Sequence, residues 1–184
     1  MTTIDIPGYR AGTWTLDPSH SEVTFSVRHM MISKVRGTFG VKSATMIAPE
    51  NPLDAKVEAS VDVTSIDTND EGRDGHLRSA DFFDTENFPT MEFVSTGARV
   101  EGGDFFVDGD LTIRGTTKPV SFEFEFGGFG QDPYGNYKAG ASASTTINRE
   151  EFGLTWNAAL ETGGVLVGKD VTITLDLQGS LAQA

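Results

Sequence analysis

The chain has no cysteine, so neither disulfides nor thiolate nucleophiles can operate. Basic residues are scarce: 14 Lys and Arg stand against 27 Asp and Glu, a net charge of −13. No block of Lys or Arg breaks that balance, so nucleic-acid phosphates would be repelled and nucleic acid is not an expected partner. No segment approaches the ~20 consecutive apolar residues of a membrane helix, and no membrane span is expected. The first twelve residues, Met1 to Gly12, carry no basic start and lack the apolar run of ~7–15 residues that marks a secretory leader. The expected location is therefore cytoplasmic. Catalytic signatures are missing as well. There is no G-x-S-x-G elbow, and Gly128-Phe129-Gly130 is an isolated glycine pair with no helix behind it. The three histidines, His20, His29 and His76, show no His-x-x-x-His spacing, and the carboxylates follow no ligand pattern. No metal and no catalytic residue is expected.

Period-two alternation is present almost throughout. Val23, Phe25, Val27 and His29 share a face opposite Glu22, Thr24, Ser26 and Arg28. The same pattern runs through Val35–Val41, Val57–Val63, Met91–Ser95, Phe105–Ile113, Phe122–Phe126, Ala139–Ile147 and Val171–Leu177. That makes about eight strands, each with one apolar and one polar face. Turn residues such as Pro49-Glu50-Asn51-Pro52 and Glu101-Gly102-Gly103-Asp104 separate them, and short connections imply antiparallel neighbours. With no helices to cover the apolar faces, a sandwich or a closed barrel remains. Strands of about ten residues favour closure, which removes exposed edges. The expected fold is all-β: an eight-stranded antiparallel barrel with one short helix at about residues 70–80. Asn69 or Asp70 can cap that helix, and Asp74 and Arg78 are spaced as a surface ion pair. The domain reading is an N-terminal extension over 1–12 and a single barrel domain over 13–184. Residues 149–168 follow neither period.

A barrel of eight strands is at the size where side chains just fill it or leave room for one ligand. The inner rows mix small Gly37, Ala59, Gly109, Ala139, Ala141 and Ala143 with large Phe25, Phe39, Phe93, Phe122, Phe124 and Phe126. Parity alone leaves filled and hollow equally open, because phenylalanine can occupy the space alanine leaves. A tall lumen and inner rows ending in polar His29 and Arg149 favour an apolar tube with a polar mouth. The candidate ligand contacts are Phe25, Val27, His29, Phe39, Phe93, Ile113, Phe122, Phe124, Ala141, Arg149 and Trp156. The expected partner is an apolar lipid held without chemistry; a homodimer is left open. The competing reading is an enzyme acting on a lipid or oxidant with His29 or His76 as acid–base.

Five segments, in order, match a known pattern: Trp14-Thr15-Leu16-Asp17-Pro18-Ser19-His20-Ser21; Phe25-Ser26-Val27-Arg28-His29; Arg73 to Asp84; Asp110 to Lys118; and Asn148 to Leu154. On these the chain resembles the YceI-like family of polyisoprenoid-binding, lipocalin-like proteins, from Trp14 to Gly179. The resemblance implies a lipocalin-like barrel enclosing an isoprenoid or quinone-like lipid, with no other cofactor and no catalytic residues. Arg73, Asp74, His76 and Arg114 match its motifs, and each also has a structural explanation.

Overall fold

The computed structural model describes residues 4–183. The strands are β1 (Gly12–Leu16), β2 (Glu22–His29), β3 (Ser33–Ala48), β4 (Lys56–Asp67), β5 (Thr90–Glu101), β6 (Asp104–Ile113), β7 (Thr116–Gln131), β8 (Tyr137–Asn148) and β9 (Val167–Leu181), with one helix, α1 (Glu71–Arg78). All pairings between strands are antiparallel, and the contact of β3 with β4 closes the sheet into a barrel. Nine strands occupy eight places. β1 and β2 share the space between β3 and β9: β1 pairs with Thr45–Ala48 and Gly179–Leu181, β2 with Ser33–Phe39 and Val167–Asp176. The 3₁₀ turn at Pro18–His20, capped by Asp17, separates them.

Strict alternation predicts long strands with a constant inner face, and β-bulges break that constancy. Register shifts lie between Val41 and Ser43, between Ser95 and Gly97, and between Phe126 and Gly128. A bulge adds one residue to a strand and exchanges its faces. After Val41, inner positions of β3 therefore pass to Ala44 and buried Ala48, while Ile47 lies outside and is exposed.

Antiparallel order sorts the connections between two ends. One end carries the β2–β3, β4–β5, β6–β7 and β8–β9 connections, and hence α1 and the irregular 149–166 segment. The other carries the β3–β4, β5–β6 and β7–β8 turns. That second end is packed with aromatics: Trp14, Phe129 and Tyr137 pack together, and Phe126, Phe124 and Phe105 continue the chain inward. Residues Gly8 to Arg10 cover it. The Tyr137 hydroxyl donates to Gly8 O, the Tyr9 hydroxyl to Pro49 O, and the Arg10 guanidinium lies 3.7 Å from the Tyr137 ring centre.

At the first end, α1 begins at Asp70, whose carboxylate accepts from Arg73 N. Asp74 and Arg78 do not form the expected surface pair. Asp74 is buried and accepts from both the backbone N–H and the hydroxyl of Thr68; Arg78 donates to Thr64 O and Ile66 O. A buried carboxylate needs donors within reach, and the turn after β4 supplies them before Arg78 can. Arg73 also donates to Thr68, through Nε and Nη2. These side chains fasten the helix to the end of β4. Among the described residues, no helix is long and apolar enough to cross a membrane.

Candidate functional site

Between the aromatic plug and the helix end lies a cavity of about 220 Å³. Its wall combines inner residues of the strands, from Leu16, Ala44, Val57, Phe124 and Leu177 on the plug side to Phe82, Phe83, Phe152, Leu154 and Val167 on the helix side. The wall includes two charged residues, Glu92 and Arg149. Glu92 is exposed, and its carboxylate accepts from Ser60 and Thr90 on the outer surface. Arg149 is therefore the one buried charge on the wall.

Large and small residues explain why the lumen is neither full nor empty. Ala143, Ala141 and Ala139 of β8 sit opposite Phe124, Phe126 and Phe129 of β7. Three small residues thus admit three rings, which fill the plug side. The Phe25 ring lies over Gly37, and the Phe93 ring over Gly109. Phe93 and Phe122 meet edge to face with centroids 5.4 Å apart. The space left over is larger than the ~150 Å³ apolar cavity that takes up benzene, and below the ~300 Å³ at which ordinary ligand pockets begin.

Of the residues named from sequence, Phe25, Val27, Phe39, Phe93, Ile113, Phe122, Phe124 and Arg149 line this one cavity. Ala141, His29 and Trp156 do not. Ala141 faces inward but lies against Phe126, beyond the void. His29 follows a bulge after Val27 and pairs with Ser33 and Val167 at the strand end. Trp156 forms an outer layer: its ring is 5.3 Å from Phe82, which is on the wall, and 4.7 Å from His76. Val61, Met91, Leu111, Ile173 and Leu175 also line the void and were not singled out. Their inward parity is legible in the sequence, but aliphatic residues on an inner face read the same in a packed core as on a cavity wall.

Arg149 is the last inward position of the β8 row that contains Ala143 and Ile147. It opens a 3₁₀ turn, Arg149–Phe152, in which the Asn148 side chain accepts from Glu150 N–H and which ends at Gly153 with φ 81°. Glycine adopts that left-handed backbone freely. The side chain is 5 % exposed. Nε donates to Gly168 O (2.7 Å), Nη1 to Leu154 O (2.6 Å) and Trp156 O (3.0 Å), and Nη2 to Val167 O (3.3 Å). Four of the five guanidinium N–H groups are thus used on carbonyls, and among the described residues no carboxylate is bonded to it. Burial pushes its pKa below the ordinary arginine range, while nearby Glu150 acts in the opposite direction. Arg114 ties the same region together, donating to Phe82 O and Gly153 O.

The histidines have local partners. His76 Nε2 is 2.9 Å from Asp81 Oδ2, and its ring packs edge-on against Phe82 and Trp156. Around His20, Ser19 Oγ and Asp17 Oδ2 both approach the same ring nitrogen, Nδ1, at 3.1 and 2.8 Å. A nucleophile relay needs serine and aspartate on opposite ring nitrogens, so this trio is a turn cap. Among the described residues no group of three or more His, Asp or Glu is placed to hold a metal.

A UPF0312 protein of Staphylococcus aureus is 38% identical over 172 residues, 92% of this chain and 98% of that protein. Its counterpart in Staphylococcus epidermidis is 41% identical over 170 residues, 91% and 97% of the two chains. Among solved structures, Burkholderia cenocepacia BcnA superposes with a TM-score of 0.75 at 22% identity, over 89% of this chain and 98% of the other. A polyisoprenoid binding domain from Saccharophagus degradans, implicated in plant cell wall breakdown, gives 0.67 at 14% identity, over 92% and 98%. These structures share the barrel. The YceI-like domain profile matches residues 14–179, and the chain belongs to the YceI-like family.

Proposed function

We propose that this barrel binds one end of a long apolar chain, of polyisoprenoid or isoprenoid-quinone type, and performs no chemistry on it. The observation that carries the reading is the cavity itself: about 220 Å³ enclosed by aliphatic and aromatic side chains, with a single buried cation on its wall. Burial of apolar carbon contributes about 0.8 kcal/mol per methylene, so ten carbons give roughly 8 kcal/mol before ordering costs. Losing several of those to ordering still leaves micromolar binding or better. The one Arg149 N–H not used on a carbonyl suits a ligand oxygen, so the polar end of the chain belongs at the helix side. Neither His29 nor His76 lines the cavity, which argues against their use as acid and base on a bound chain. The polyisoprenoid-binding domain with the same fold supports the choice of ligand class.

The test is to extract the purified protein with organic solvent and identify what is released by mass spectrometry. The expected result is a prenyl-type lipid in a fixed ratio to protein, recovered chemically unchanged after incubation. Extracts that contain only bulk cell phospholipid, in no fixed ratio, would contradict it.

A further inference from the structure

The β2–β3 hairpin carries an unusual tip. Its turn residues Met30 and Met31 both have left-handed backbones, φ 54° and 60°. Such turns match the strand twist but call for Asn and Gly, since a Cβ is disfavoured there. Here two methionines are held in it, followed by Ile32, and all three side chains face water. Their exposures are 43%, 61% and 80%. Val165, 38% exposed, belongs to the adjoining loop, where Met31 lies directly against Gly164 and Met30 N donates to Leu166 O. Four of the eight exposed large hydrophobic residues among the described residues are gathered at this one spot.

Charge is sorted at the same place. From Val23 to Ala48 the chain has no acidic residue and has Arg28, Lys34, Arg36 and Lys42, in a protein of net charge −13. Arg28 pairs in register with Lys34, and Ser26 with Arg36, so the cations flank the tip on the outer face. Arg28, Lys34 and Arg36 are exposed and have no carboxylate partner among the described residues. A belt of threonines, Thr24, Thr38, Thr172 and Thr174, then separates them from Asp67, Glu22 and Asp176. The other acids at this end are Glu150, paired with Lys169, then Glu151, Glu161 and Asp170 along the 149–170 stretch, and Asp70, Glu71, Asp74, Asp81, Asp84 and Glu86 in the β4–β5 connection. The cationic patch is thus confined to the β2–β3 hairpin.

We infer that the Met30–Met31–Ile32 tip is a foot that docks on an anionic lipid bilayer. The apolar tip enters the interface, and Arg28, Lys34 and Arg36 meet the lipid phosphates. Apolar side chains ringed by cations are the combination that such a surface retains. The tip lies at the same barrel end as Arg149, whose Nη2 donates to Val167, the register partner of His29. Docking would thus bring the Arg149 side of the cavity to the membrane. The purpose of docking, exchange of an apolar chain, rests on the function proposed above; the docking itself rests on the patch.

The full-length protein is sedimented with phosphatidylcholine vesicles, with and without phosphatidylglycerol, at low and high salt. The expected result is binding only to the phosphatidylglycerol vesicles, reversed by salt. Ile32→Asp with Met31→Asp should lower binding at least tenfold; Asp tolerates the left-handed turn, so the fold should survive. Lys34→Ala and Arg36→Ala should each lower it about fivefold. No binding to anionic vesicles, or binding that these variants leave unchanged, overturns the inference. So does a dimer, seen by light scattering, that Ile32→Asp dissociates while vesicles stay unbound. Solvent extraction of the same samples separates the two proposals. Docking by a protein without lipid removes the cargo reading alone, and lipid-loaded protein that ignores vesicles removes the foot alone.

Discussion

At the scale of single residues, the interior is decided by where side chains are absent. Gly109 is a clear case: a Cβ there would clash with the edge of the Phe93 ring and lie 2.6 Å from the Val94 carbonyl oxygen. The ring could turn, but the backbone oxygen could not. Gly109→Ala is therefore expected to cost about 1–3 kcal/mol by overpacking, read as a lower denaturant midpoint with unchanged slope. A variant as stable as the parent would mean that Phe93 does not sit on Gly109. Residue identity also shows how far sequence could be read. Alternation placed Phe25, Phe39, Phe93, Phe122 and Phe124 on the inner face, and all five line the cavity. It placed Ala141 inside too, but not beyond the void. That depends on the pairing of Ala141 with Phe126, a contact between strands that a single sequence does not display.

Among the elements, the strands were legible and their irregularities were not. Apolar–polar alternation exposes a strand because its side chains point alternately to two faces. A bulge leaves no comparable trace, so the change of inner face after Val41 and the displacement of His29 were invisible. β1, five residues long, is too short for a period to establish itself. The helix was legible through its cap and its break in alternation. The burial of Asp74 was not, because it depends on Thr68 reaching back from the end of β4. Strand pairing also fixes a pH response. In register, Asp108 of β6 faces Ser121 of β7. The Ser121 hydroxyl, and then Arg99, hold the Asp108 carboxyl below its usual range. Asp17 is lowered to about 2 by Ser19 and His20. A lowered carboxyl contributes stability that is present above its unfolded value of ~4 and lost as pH falls through its folded value. Stability should thus decline on acidification from about pH 4 toward 2. Ser121→Ala should raise the Asp108 titration midpoint in NMR and flatten that decline; an unmoved midpoint would show that the hydroxyl does not bond the carboxylate.

The whole molecule joins two unlike ends around one void. Aromatics and residues Gly8 to Arg10 fill one end, while α1, Arg114 and Arg149 organise the other. A barrel of eight strands permits either a filled or a hollow interior, and this one is filled for part of its height and hollow for the rest. Ala59 lies on the wall of the hollow part, opposite Phe93. The central claim is that this void, and no outer groove, holds the apolar chain. Native mass spectrometry of the parent protein and of Ala59→Trp tests it most directly. The account predicts a parent ion carrying one lipid per chain and a folded Ala59→Trp ion at the bare protein mass. Folded Ala59→Trp that retains the same single lipid would contradict it.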